Sequence, residues 1–273
     1  MSSLTWPLEE RANSPGIIVR ECTTIEDFDG CTRLQREAFN LPDMEISPRR
    51  HLIVSRQVGG WTLGAFVGDE LVGFVHHLAA LRGDEIIGYS HMMAVASQYQ
   101  NRGVGARLKW AQRRRALDEK RGFIKWTWDP VQARNAHFNL NRLGVVVRSY
   151  AVNFYGTDYH ASPENASQGS EKSGIDSDRL FAEWNLRAGR VEMLARGDSV
   201  KVAADPVAEV EIPSMWSALV REDAQAAKRE QLRVREDFQS AFAAGLVCAS
   251  FERDPAHPRY LLYTEEAIAA SCF

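Results

Sequence analysis

The sequence predicts a mixed α/β fold, a mostly antiparallel sheet flanked by helices, with a C-terminal α/β extension. Three observations carry this. Between residues 61 and 96, three apolar runs follow one another, separated by Gly68-Asp69 and Arg82-Gly83-Asp84, as consecutive antiparallel strands would. The last run enters a polar turn and two glycines, Gly103 and Gly105, that open a stretch of helical periodicity. Beyond it, short apolar runs alternate with helical ones.

Residues 1–15 read as a loosely held arm. The β-branched run 16–22 predicts a first strand, and Thr23 or Thr24 can cap a helix through Phe28, Cys31, Leu34 and Ala38 that Asn40-Leu41-Pro42 stops. A short helix over 48–58 ends at Gly59-Gly60. Runs 61–67, 71–81 and 86–96 are the three strands. In the helix after the loop, Val104, Leu108 and Ala111 form an apolar face, while Arg107, Lys109, Arg113, Arg114, Arg115, Lys120 and Arg121 supply a basic one, most of it solvated, with one or two residues that could meet a ligand phosphate. Strand 123–128 ends at Asp129-Pro130, a helix covers 131–143, and a strand covers 145–150. Residues 157–178 are polar and small, a long loop before strand 180–186. The pattern then changes: 200–212 is β-like, 214–244 is one long helical stretch, and 246–251 with 260–263 form a terminal strand pair. The domain reading is an arm over 1–15, a main domain over 16–187 and an extension over 188–273.

Composition narrows the function classes. The chain has 273 residues, 45% hydrophobic and 25% charged, which allows a sizeable core. A net charge of −3 argues against nucleic acid as a partner. No apolar run is long enough to span a bilayer and the N-terminus has no leader pattern, so the expectation is a cytoplasmic protein without a membrane partner. The four cysteines lack metal-type spacing, and free thiols with no metal are expected.

The stretch Gln98-Tyr99-Gln100-Asn101-Arg102-Gly103-Val104-Gly105-Ala106 joins a strand to a helix start. Glycines let a ligand approach the backbone, and a helix N-terminus presents free N–H groups, so the junction suits a pyrophosphate. A P-loop would need Lys-Ser/Thr where Ala106-Arg107 stands, and a dinucleotide loop would need a third glycine. The spacing Gln100-x-x-Gly103-x-Gly105 resembles the coenzyme A loop of the GNAT acyltransferase superfamily, and the element order over 16–186 follows that family. The runs Ser90-His91-Met92-Met93-Ala94-Val95, Trp126-Thr127-Trp128-Asp129-Pro130, Asn135-Ala136-His137, Leu143-Gly144, Asn153-Phe154-Tyr155-Gly156 and Ser177-Asp178-Arg179 are similar to a C-terminally extended GNAT-like group. Some members of that group are associated with N-succinylation of amino acids beside an N-succinylamino-acid racemase.

The resemblance implies transfer of an acetyl or succinyl group from acetyl-CoA or succinyl-CoA to a small-molecule amine by direct attack. It implies coenzyme contacts at Met93, Val95, Gln100, Arg102, Gly103, Val104, Gly105 and Ala106. The family often places a carboxylate where His91 stands, and imidazole can take over as base, the alternative being a histidine bonded inside the sheet. The tyrosine that protonates the leaving thiolate in many members is replaced by Leu140, with Tyr150, Tyr155 and Tyr159 as substitutes, and Tyr155 is the residue chosen. Asn135 and Asn139 either contact coenzyme or bond at a helix end. Arg179 either pairs with Asp178 or binds a carboxylate, for which Arg134, Arg142 and Arg148 are further candidates, and Trp128 either packs or walls the acceptor site. The competing reading is a non-catalytic acyl-CoA sensor that uses 214–244 as a partner or homodimer surface.

Overall fold

A computed structural model describes residues 16–39, 43–157 and 174–270 of the chain. The expected arm, the stop at Asn40-Leu41-Pro42, Tyr159 and most of the polar loop lie outside these residues. Packing divides the chain into two compact units, one ending at Ile124 and one beginning at Lys125.

In the first unit, β1 (Ile17–Glu21) leads to α1 (Ile25–Phe39) through a reciprocal cap. Thr24 Oγ1 accepts from the Asp27 N–H at 3.2 Å, and Asp27 Oδ2 accepts from the Thr23 and Thr24 N–H groups at 2.9 and 3.3 Å. Arg20 closes on both oxygens of Asp27 and, with those amides, holds its carboxyl at about 2. Next come α2 (Arg49–Ser55) and a 3-10 turn that ends at Gly59 with φ +83°. Strands β2 (Trp61–Val67), β3 (Glu70–Arg82) and β4 (Glu85–Val95) follow, paired antiparallel in the order β1-β2-β3-β4. Then comes α3 (Val104–Asp118). Phe28, Cys31 and Leu34 of α1 and Leu52 of α2 pack with Phe66, Phe74 and Ala94. On the other face of the sheet, Val104 and Leu108 of α3 pack with Trp61, Leu63 and Val75. Strand β2 and the first half of β3 are therefore buried on both sides, whereas β1 leaves Ile18 and Arg20 exposed.

Strand β4 carries a bulge. Its register with β3 steps from His76↔Met92 to His77↔Ser90, which leaves His91 as the extra residue. His76 and His77 point to opposite faces and are both fully buried, with no bonding partner for either Nε2 among the described residues. His77 stacks on Trp61 at 4.0 Å on the α3 side.

The helix after the loop departs from expectation. Lys109 and Arg121, read as part of a solvated basic face, are 2% and 8% exposed. The face of α3 turned to the sheet is wider than its aliphatic stripe: Lys109 Nζ donates to Ser90 Oγ at 2.8 Å and Gln112 Oε1 at 3.0 Å. Burial alone pushes the Lys109 amine well below its usual range.

The second unit contains β5 (Phe123–Trp128, which straddles the division), α4 (Ala133–His137), β6 (Tyr150–Ala151) and β7 (Arg179–Asn185), with strand order β5-β7-β6. The extension adds α5 (Gly189–Arg196), β8 (Ala208–Glu211), α6 (Trp216–Glu222), α7 (Ala224–Ala243), β9 (Val247–Glu252), β10 (Arg259–Tyr263) and α8 (Glu265–Ala270). Strands β8, β10 and β9 form a second, antiparallel sheet in that order. Four expectations need correction. The single helix over 214–244 is two, because Asp223 leaves helical geometry (φ −147°) and its side chain accepts from the Ala226 N–H at 2.8 Å, starting α7 afresh. The strand over 145–150 reduces to isolated bridges at Val146 and Val147 and the two residues of β6. The β-like run 200–212 yields only β8, which begins after Pro206. The helix over 131–143 stops being α-helical at His137 and continues as a π turn, Phe138–Arg142.

Burial holds His76 at about 3, with His91 and His51 adding to the effect, and holds His77 at about 2, with Arg121 and Lys109 adding. Both imidazoles stay neutral in the folded chain while the unfolded chain protonates them below about 6.5. The unfolded state then binds more protons, so stability falls as pH falls through 6.5, by about 1.4 kcal/mol per pH unit for each histidine. Urea unfolding should therefore show a protein about 2–3 kcal/mol less stable at pH 5.5 than at 7.5. A flat profile would show that both rings accept protons in place.

Candidate functional site

The loop after β4 is shaped by its backbone. Ala96 N–H reaches Val72 O at 2.9 Å, a 3-10 turn covers Ser97–Tyr99, and the Gln100 side chain folds back so that Nε2 donates to Val95 O at 3.1 Å. Asn101 and Gly103 then take left-handed conformations, φ 60° and 80°, which turn the chain into α3. Arg107 N–H bonds Gly103 O at 3.0 Å, and no side chain caps the helix. The amides of Val104, Gly105 and Ala106 thus form a first turn that no side chain of the described residues caps and that an anion can take. A Cβ placed on Gly105 would meet Met93 Cε at 3.5 Å, ordinary contact, so the glycine is not demanded by packing. Arg102 is exposed at the loop, 5.8 Å from the Tyr99 ring. Met93 and Val95 pack on the α3 side of the sheet, directly under the loop's helix. These residues fit a pyrophosphate, and the positions expected to contact a coenzyme, Met93 and seven from Val95 to Ala106, lie at this strand–helix junction.

His91 lies on the other face. Its bulge turns it toward α2, where its ring stands 5.8 Å from His51 and 6.1 Å from His76, and its Nε2 is 3.4 Å from Ser47 Oγ. His76 Nδ1 in turn meets Thr62 Oγ1 at 2.8 Å, and its ring is 5.5 Å from His51. Burial, then the neighbouring His51, pushes the His91 imidazole below its ordinary value, so it is neutral at neutral pH and able to accept a proton. Among the described residues, no group of three or more His, Cys, Asp or Glu could hold a metal. Sequence reading singled out His91, with His76, His77 and His137 as weaker rivals, but not that His91 and His76 meet with Ser47 and His51. Ser47, His51 and His76 come from three segments, and neither periodicity nor spacing signals the bulge that assembles them.

In the second unit, Leu140 is fully buried in the π turn, and its carbonyl accepts from Arg190 at 3.0 Å. Tyr150 donates to Asp178 at 2.6 Å and, being buried beside that carboxylate, is pushed far above its usual value. Tyr155 is 41% exposed, its hydroxyl 3.5 Å from Thr127 Oγ1 and the Arg179 guanidinium 5.1 Å from its ring. Arg179 is buried and donates to the backbone carbonyl of Asp178 at 3.1 Å, whereas the Asp178 carboxylate is held by Arg235. Asp178 thus meets Arg179 through its backbone carbonyl and Arg235 of α7 through its carboxylate. Asn135 is exposed on α4 and Asn139 is buried in the π turn. Asn141 instead clasps Phe251 of β9 through both backbone groups, at 2.9 and 3.1 Å. Trp128 is buried, with its indole N–H on Tyr260 Oη at 3.2 Å.

Known proteins add to this geometry. A protein assigned to the GNAT family of acetyltransferases, from Desulfovibrio desulfuricans, superposes with a TM-score of 0.50 at 13% identity, over 63% of this chain and 99% of that one. Another assigned as an acetyltransferase, from Acinetobacter baylyi ADP1, gives 0.50 at 14%, over 62% and 92%. At such identities the likeness is one of fold. No curated protein matches the sequence. Residues 25–144 match the model of the Acetyltransferase (GNAT) family, a stretch that runs from the start of α1 through the glycine loop to Gly144. Residues 25–144 are thus similar to a GNAT acetyltransferase-family domain, and an additional C-terminal sheet and helices lie beyond that stretch.

Proposed function

We propose that the chain is an acyl-CoA-dependent N-acyltransferase that moves an acetyl or succinyl group from the coenzyme to a small amine, such as an amino acid, by direct attack. The uncapped start of α3 behind two left-handed residues carries the reading, because it offers a pyrophosphate three backbone donors and the helix dipole. Arg102 adds a charge at the rim, and Gln100, tied to Val95, sets the loop's entry. Asn135 and Asn139 are kept as further coenzyme contacts.

The amine nitrogen attacks the thioester carbonyl carbon, the carbon–sulfur bond breaks, and the nitrogen loses one proton while the thiolate gains one. His91, held neutral by burial, takes the proton from nitrogen through water. Tyr155 is the proposed donor to the thiolate. Trp128 is left to packing, and Arg179 to the acceptor's or acyl group's carboxylate. Of the arginines considered for a succinyl carboxylate, Arg148 is already committed to Glu183 and Glu265. Two observations favour a second reading, a non-catalytic acyl-CoA sensor: Leu140 fills the usual acid's position and Tyr150 is bound to Asp178.

Thiol release from acetyl-CoA or succinyl-CoA with pooled amino acids separates the two readings, since a sensor releases none. If succinyl is the natural group, succinyl-CoA should give the larger kcat/KM, and equal values would remove the dicarboxylate version. Gly105→Val should fold normally, given the space around that position, yet weaken coenzyme A binding by about tenfold or more by obstructing the first-turn amides. Unchanged affinity by calorimetry would leave the loop without a coenzyme role. In the active enzyme, His91→Ala should lower kcat by about a hundredfold with coenzyme affinity kept. The wild-type rate should fall as pH drops through the depressed value of His91, below 6.5, and that limb should vanish in the mutant. A mutant with near-normal turnover and the same limb would reduce His91 to packing.

A further inference from the structure

The far end of α3 borders a cavity. It measures about 220 Å³ and is walled by Arg56, Arg115, Arg121, Glu21, Glu119 and Trp61. Helix α3 is 15 residues long, so at about 1.5 Å per residue the cavity lies roughly 20 Å along the helix from the glycine loop. Three guanidinium groups face two carboxylates, an excess of one positive charge. The pairs are Arg115 with Glu21 at 3.2 Å and Glu119 at 2.8 Å, Arg121 with Glu119 at 3.2 Å, and Arg56 with Glu21 only at 3.6 Å. Glu119 also accepts the Trp61 indole N–H at 3.0 Å, which further spends its negative charge.

The donors outnumber the acceptors. Arg121 gives Nη2 to Gly59 O at 2.6 Å, but its Nη1 is buried and has no partner among the described residues, although the residue is 8% exposed. An unpaired buried guanidinium N–H is destabilising unless an acceptor arrives. The geometry around it is enforced: a Cβ on Gly60 would lie 2.7 Å from His77 O and 2.9 Å from Ser55 O, both backbone atoms, so only glycine permits the turn that brings Gly59 O to Arg121.

We propose that this cavity binds a small oxyanion, a carboxylate or a phosphate, gripped by the unspent donors of Arg56, Arg115 and Arg121. Planar guanidinium forks match both groups, and a single negative charge would neutralise the excess. The site is separate from the helix start and stands whether or not the chain binds coenzyme A.

Calorimetric titration of the full chain at low ionic strength with inorganic phosphate, and separately with acetate, tests this. One of the two should bind with one-to-one stoichiometry and a Kd on the order of 1 mM or tighter, and which one does so identifies the oxyanion. Arg121→Gln should weaken binding about tenfold or more, with circular dichroism reporting its fold. Arg56→Gln, whose side chain is a third exposed and makes only the 3.6 Å pair, should weaken it by a similar factor without touching the core. Gly105→Val should keep the binding event at the cavity. The proposal is overturned if neither anion binds the wild type, if Arg56→Gln binds normally, or if Gly105→Val abolishes binding, which would move the anion to the loop.

Discussion

The one-residue bulge in β4 governs the first unit. A strand alternates its side chains with a period of two, and an inserted residue reverses the phase on one side of it. With His91 as the insertion, Met93 and Val95 keep their place under α3, Ser90 also faces α3 and reaches Lys109, and His91 joins His51 and His76 on the α2 side. A regular strand would aim His91 at α3, into the region that Lys109 occupies. The bulge thus separates a neutral imidazole from a buried amine by the thickness of the sheet, and burial can depress both without placing two cations together.

Helix α3 is anchored at intervals along its length. Arg107 donates to Ile17 O at 3.3 Å, Lys109 to Ser90, and Arg115 to Glu21, while Arg121 beyond its end donates to Gly59 O. These ties connect the helix to β1, to β4 and to the turn before β2. Its free first turn is therefore presented by a fixed element, as ligand binding through backbone amides requires. The same ties gather the charged cluster at its other end.

The second unit is ordered by a different ion network. Asp176 and Asp178 receive Arg235 at 2.6 and 2.9 Å, Lys228 reaches Asp176 at 2.8 Å, and the Asn153 N–H and the Tyr150 hydroxyl complete the shell of Asp178. This network fixes the segment before β7 to α7, so part of the extension shapes the neighbourhood of Tyr155 and Arg179. It also removes Tyr150 from proton transfer, since a phenol that is buried and bonded to a carboxylate holds its proton tightly.

The sequence by itself determined the elements whose signals are local. The Thr24 cap of α1, the glycine that ends the turn after α2, the hairpins around Gly68 and Gly83, and the Gly103 turn into α3 all depend on residues within a few positions of one another. The coenzyme-loop resemblance was legible for the same reason. What the tertiary structure alone decided are the features that depend on pairing between distant segments. Residues 145–150 are apolar enough for a strand, yet find neighbours only at scattered bridges, and Lys109 and Arg121 have the composition of a wet face yet lie inside. The bulge at His91 is a fact of register, set by how β3 and β4 satisfy their backbone bonds together, and register leaves no mark in either strand read alone.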